Sequence, residues 1–329
     1  MRAVCYERQG PAREVLTLGE MPTPQAGRGE VRVRLKASGC NPADTYRRGG
    51  RGHPMDFPRV VTHSDGSGVV DQVGPGVPRH WLGKRVWLYN GQRLGRAFGT
   101  AAEWIALDVD LVRPLSDNTG FEAGACLGIP AMTAHVCVFC DGPVAGKSVL
   151  VTGAAGAVGH YAAQMAKLGG ATVIATVSSA EKAKHAEAAG VDFVVNYRAE
   201  NVAERIMALT EGKGVDRVID VELGGNLPTT LKVLRPHGTV IGYATTAEPM
   251  PQLPFRELMF RCLSVKGMAL PNTPHAQRRS AQDDITRWCA EGKLIHSVAG
   301  PWPLAETATA HEVVEQGGKH GTAVVLPDR

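Results

Sequence analysis

Residues 148–170, SVLVTGAAGAVGHYAAQMAKLGG, constrain the fold more than any other stretch of this 329-residue chain. Residues 148–152 are apolar or β-branched enough to form a buried parallel strand. Gly153, Gly156 and Gly159 follow at three-residue spacing, with Ala155, Ala157 and Val158 between them. Val158, Ala162 and Met165 then recur at helical intervals until Gly169 and Gly170 stop the helix. A strand that runs through a glycine turn into a helix start presents unpaired N–H groups and the positive end of the helix dipole to an anion. Small residues in the turn let a pyrophosphate approach the backbone. With the next strand, residues 171–177, the segment reads as a dinucleotide site.

The pattern repeats downstream. Strand candidates at 148–152, 171–176, 193–196, 216–220 and 238–242 alternate with helix candidates at 180–189, 201–210 and 229–234. That alternation predicts an α/β unit with a doubly wound parallel sheet. Before it, residues 1–122 carry short strands such as 31–35, 69–73 and 85–88, punctuated by Gly and Pro, which suit a small β-barrel. Residues 130–140 form a helix candidate, 277–291 a polar helix and 322–326 a closing strand.

Hydrophobic content of 43% and charged content of 21% suit two globular domains. A net charge of +4 without a basic block argues against a nucleic-acid surface but is compatible with an anionic small ligand. The N-terminal residues are charged too early for a signal peptide, and no apolar run reaches membrane-spanning length. Seven scattered cysteines read as free thiols, so the expected location is cytoplasmic.

Several segments resemble the zinc-free quinone oxidoreductase (zeta-crystallin-like) branch of the medium-chain dehydrogenase/reductase superfamily. They are KASGCNPADTYRRGG (36–50), SDGSGVVDQVGPGV (64–77), GKRVW (83–87), GIPAMTAHV (128–136) and VTGAAGAVGHYAAQMAK (151–167). The resemblance spans the chain. It implies a groES-like catalytic domain from 1–122 and 268–329, around a Rossmann nucleotide domain at 123–267. It also implies a homodimer.

Relatives that oxidise alcohols hold a catalytic zinc through a Cys, a His and a second Cys or acid. The resemblance puts Asn41 at the Cys position and Ser64 at the His position, so no metal is expected there. The neighbours Cys40 and His63 are expected to face the other way. Cys137 and Cys140 form an isolated C-x-x-C within a helix candidate and read as packing thiols.

A site for NAD usually has an acid about 20 residues past the glycines, to hold the ribose. Here the second strand ends at Ser178 and Ser179, with Lys182 close behind. The resemblance implies that Lys182 and Tyr197 hold the 2′-phosphate of NADPH. It also assigns Gly242, Tyr243, Ala244, Met268, Ala269 and Leu270 to the ribose and carboxamide, with Thr133 and Asn41 near the nicotinamide. Whether Lys319 replaces an Arg that often holds the phosphate stays open.

The implied reaction is zinc-independent hydride transfer from NADPH to a quinone, with Asn41 positioning the substrate and Tyr46 as oxyanion or proton donor. Asp44 and Arg48 are expected to hold the loop. The alternatives are an enone or other activated alkene as acceptor, or a non-enzymatic crystallin-like or RNA-binding role.

Overall fold

The structure, a computed structural model, describes residues 1–51, 54–93 and 95–329. The chain forms two compact units, Met1–Met132 with Gln282–Arg329, and Thr133–Ala281. These divisions fall later than the changes of texture near 122 and 267, for two reasons. The Ile129 N–H donates to Asp65 at 2.8 Å, which ties the segment after 122 into the first unit. Gln282 accepts from Arg113 at 2.6 Å and donates to Asp110 O at 3.0 Å, which does the same near the other division.

The first unit opens with β1 (Arg2–Tyr6), α1 (Ala12–Val15), β2 (Thr17–Glu20), β3 (Glu30–Cys40), α2 (Pro42–Arg48), β4 (Val60–Val61) and β5 (Asp65–Val73). It continues through β6 (Arg85–Leu88), β7 (Trp104–Asp108), β8 (Val112–Pro114) and α3 (Phe121–Gly124). The Val-Arg-Val-Arg-Leu alternation in β3 does what period two demands. Val31, Val33 and Leu35 are buried with Val70, Val86, Leu88, Ile105 and Leu107, while Arg34 is exposed and Arg32 reaches Asp71 at 2.8 Å. β3 runs on past Leu35 to Cys40, and this extension delivers Asn41 to the start of α2.

In the second unit α4 (Met132–Phe139) precedes β9 (Ser148–Val151), α5 (Ala157–Leu168), β10 (Thr172–Val177), α6 (Ala180–Ala188), β11 (Phe193–Asn196) and α7 (Val202–Leu209). Then come β12 (Val215–Asp220), α8 (Leu223–Val233), β13 (Leu234–Gly242), α9 (Phe255–Arg261), β14 (Ser264–Gly267) and α10 (His275–Ala290), in which the division falls. All pairings in the six-stranded sheet are parallel, in the order β11-β10-β9-β12-β13-β14. The order reverses at β9, the switch point where doubly wound sheets hold ligands at their C-terminal edge. Leu150, Ile174, Val195, Val218 and Val240 of the strands pack with Ile206, Leu227 and Leu231 of the helices.

α8 begins six residues before the expected 229, and it passes through Gly224, Gly225 and Pro228, all poor helix formers. Buried Asp220 anchors it by accepting from Asn226 Nδ2 at 2.8 Å and from the Thr230 hydroxyl at 3.1 Å.

The first unit closes with β15 (Val298–Pro303), α11 (Thr307–Gln316) and β16 (Thr322–Leu326). β16 pairs antiparallel with β3, bringing Ala323 opposite Cys40. The resulting sheet runs β15-β16-β3-β5-β6-β8, with β7 also on β3. Among the described residues no helix is long and apolar enough to cross a membrane.

Candidate functional site

Within the second unit, every segment expected at the cofactor lies at the C-terminal end of a strand or on the turn after it, apart from Thr133. After β9 the backbone turns at Gly153 with φ 62°, a conformation that favours glycine. Gly156 then caps α5 without any side-chain hydrogen bond, so the first N–H groups of the helix, at Ala157 and Val158, are left for an anion. Gly159 is required for a different reason. A Cβ there would stand 2.4 Å from Gly153 O, so only glycine lets the helix sit this close to the turn.

At the neighbouring edge, Val177 pairs with Asn196, and the Tyr197 N–H donates to Val177 O at 3.0 Å. Ser178 and Ser179 end β10, and the Ser179 hydroxyl caps α6 by accepting from the Lys182 N–H at 3.2 Å. Lys182 is thereby fixed in the first turn of α6. Among the described residues its ammonium has no ion-pair or hydrogen-bond partner, and the Tyr197 side chain is half exposed. No carboxylate stands at the end of β10, and Glu181 is exposed on α6.

Beyond β13, Gly242, Tyr243 and Ala244 line an open cavity of about 850 Å³ together with Met268, Ala269 and Cys140. The Met268 N–H donates to Gly242 O at 2.9 Å and the Tyr243 N–H to Asp220 O at 3.1 Å, so both cavity segments are held by backbone bonds. Leu270 is buried, and neither it nor the glycine turn borders this cavity. Thr133 is buried in the first turn of α4.

In the first unit Asn41 is buried at the N-cap of α2. Its side-chain amide donates to Asp65 Oδ2 at 2.7 Å, and its backbone N–H donates to Asp44 at 2.8 Å. Asp44 also accepts from the Ser64 hydroxyl at 2.8 Å, with the Arg93 guanidinium 4.0 Å away. Asp65 and Arg93 were not among the expected site residues. Burial pushes the Asp65 carboxyl well above the usual carboxylate range, and the negative Asp44 adds to the effect. Among the described residues its Oδ1 is buried without a hydrogen-bond partner.

Asp44 and Arg48 lie on a helix rather than a loop, with structural partners. Arg48 is buried, donates to Gly10 O at 2.5 Å and pairs with Glu315. Tyr46 is 37% exposed, and the Arg51 guanidinium stands 5.2 Å over its ring. Lys319 turns back onto Gly321 O of its own loop.

The donor set at the zinc position of alcohol-oxidising relatives is an amide and a hydroxyl, Asn41 and Ser64, and each donates to a buried aspartate. These residues do not fit a catalytic zinc. The neighbours Cys40 and His63 do leave this cluster. His63 does so from a left-handed backbone, φ 73°, in the turn between β4 and β5 rather than by strand alternation.

The family models for the alcohol dehydrogenase GroES-like domain and for zinc-binding dehydrogenase match residues 27–117 and 157–286. A 2-haloacrylate reductase of Burkholderia sp is 33% identical over 99% of this chain and 99% of its own length. The quinone oxidoreductase of Rattus norvegicus is 31% identical over 99% of this chain and 98% of its own. A solved NAD-dependent alcohol dehydrogenase is 34% identical, covers 99% of both chains and superposes with a TM-score of 0.90. The Escherichia coli quinone oxidoreductase solved with NADPH is 27% identical over 99% of this chain and 100% of its own, with a TM-score of 0.87. The chain is an oxidoreductase belonging to the quinone oxidoreductase branch of the medium-chain dehydrogenase/reductase superfamily.

Proposed function

We propose that this protein uses NADPH to reduce an electron-poor conjugated acceptor, a quinone in the first instance. The observation that carries the reading is Lys182, whose ammonium has no partner among the described residues, near Tyr197, Ser178 and Ser179 at a sheet edge where an NAD site would hold an acid. Lys182 and Tyr197 would hold the 2′-phosphate, and the α5 start with Gly153, Ala155, Gly156, Ala157 and Val158 the pyrophosphate. The cavity-lining backbone of Gly242, Tyr243, Ala244, Met268 and Ala269 would hold the nicotinamide half, with Leu270 packing behind and Thr133 nearby. Bound there, the cofactor supplies a hydride.

In the first unit Asn41 keeps one amide N–H beyond the one given to Asp65, and that donor would orient the acceptor carbonyl. Tyr46 carries a phenol able to supply a proton. A quinone or conjugated alkene accepts hydride without a Lewis acid, which agrees with Asn41 and Ser64 standing where metal ligands would be needed.

A second reading, reduction of an activated alkene, is favoured by the 33% identity to a 2-haloacrylate reductase. A panel of quinones, enones and 2-haloacrylates monitored by NADPH oxidation decides between them. Turnover of quinones at the highest kcat/KM supports the first reading, and turnover of alkenes alone replaces it. A salt-sensitive shift of RNA in a gel would favour the non-enzymatic role instead.

We also infer a homodimer in a reducing, cytoplasmic setting. β14 is an edge strand, and α9 beside it exposes Phe255 at 73% and Phe260 at 68%. An edge strand with apolar neighbours is self-complementary about a two-fold axis. All seven cysteines are free, and five are buried.

A further inference from the structure

We propose that Cys40, His63 and His311 form a second, non-catalytic site for a thiophilic d10 cation, zinc(II) or copper(I). One ligand atom from each lies within 4.8 Å of the others, and all three residues are buried. The three come from the end of β3, the turn before β5 and the middle of α11, so an ion would tie the C-terminal helix to the N-terminal sheet.

The surrounding hydrogen bonds prepare His63 as a ligand. The Thr100 hydroxyl donates to Asp65 O at 2.6 Å, so the Ser38 hydroxyl, 2.8 Å from Thr100 Oγ1, donates to Thr100. Ser38 Oγ is then the acceptor for His63 Nδ1–H at 2.8 Å. That fixes the tautomer and leaves the lone pair on His63 Nε2, the arrangement in which metal-binding histidines are held. His63 Nε2 stands 3.1 Å from His311 Nε2, close to the roughly 3.3 Å edge between two nitrogens on a tetrahedral zinc. The farthest ligand pair needs to close to about 3.5 Å for a zinc bound by nitrogen and sulfur, a side-chain rotation.

Among the described residues the His311 Nδ1 is buried without a partner. If Nδ1 carries the proton, both Nε2 lone pairs are free, and a cation about 2.0 Å from each sits beside the 3.1 Å line that joins them. If Nε2 carries it, the pair is a plain hydrogen bond and Cys40 a bystander. Burial pushes the Cys40 thiol well above its usual range, with Asp44 and Glu315 adding to the shift and Lys319 and Arg48 opposing it, so its proton leaves only as the ion binds. One thiolate and two neutral imidazoles suit zinc and copper(I) and exclude magnesium or calcium. The site differs from the Asn41–Ser64 position by one residue in each segment and takes no part in hydride transfer.

The test uses the full-length protein purified from cultures supplemented with zinc, copper or cobalt and then passed over a chelator under reducing conditions. We expect close to one equivalent of zinc or copper per chain, and the metal that reaches that level identifies the ion. Cobalt-loaded protein should show a thiolate-to-cobalt charge-transfer band that survives Cys262→Ser and disappears in Cys40→Ser. If Cys40→Ser does not fold, the wild type decides alone. Less than a tenth of an equivalent of both metals, or bound cobalt without a thiolate band, overturns the proposal.

Discussion

Asn41 donates its side-chain amide to Asp65 Oδ2 at 2.7 Å, and both side chains are buried. Removing the amide leaves a buried acceptor without its donor, which costs about 1–3 kcal/mol. Asn41→Ala is expected to lower Tm by a few degrees. It should also lower kcat by tenfold or more, because the acceptor loses its positioning donor. Thermal melts and steady-state kinetics check both. A lower Tm with unchanged kcat makes Asn41 a helix cap only.

Tyr46, 37% exposed, would donate from beneath the Arg51 guanidinium. Tyr46→Phe should lower kcat by roughly ten- to a thousandfold, the usual scale for one such donor, with NADPH affinity unchanged. A kcat within twofold of wild type for every acceptor would leave the ring a surface feature.

The exposed face of α9 predicts the oligomeric state. Phe255→Glu with Phe260→Glu places two charges on the surface expected at the dimer axis, and light scattering should then report monomers where wild type is dimeric. Wild-type monomers, or a variant that stays dimeric with its fold intact, would contradict the interface.

The second unit was legible because its signals are local: apolar strands, glycine punctuation and helical spacing follow one another within each βα step. The first six residues of α8 were not, because its anchor is Asp220, a tertiary contact that overrides Gly224, Gly225 and Pro228. Asn41 was found by resemblance, but its partner Asp65 is set by the β3–β5 pairing, 24 residues along the chain. The departure of Cys40 and His63 from Asn41 and Ser64 was foreseeable from neighbouring positions. Their meeting with His311, 248 residues beyond His63, depends on where α11 packs.

The most direct measurement is a titration of wild type and Lys182→Ala with NADPH and with NADH, followed by nicotinamide fluorescence. A charge-assisted hydrogen bond to the 2′-phosphate is worth about 1.5–3 kcal/mol, or roughly ten- to a hundredfold in affinity. Wild type should prefer NADPH by at least tenfold. Lys182→Ala should lose most of that preference through weaker NADPH binding alone, and Ser178→Asp should go further by repelling the phosphate and offering NADH a ribose acceptor. Equal affinity of wild type for the two cofactors, or a Lys182→Ala variant that weakens both alike, would contradict the account.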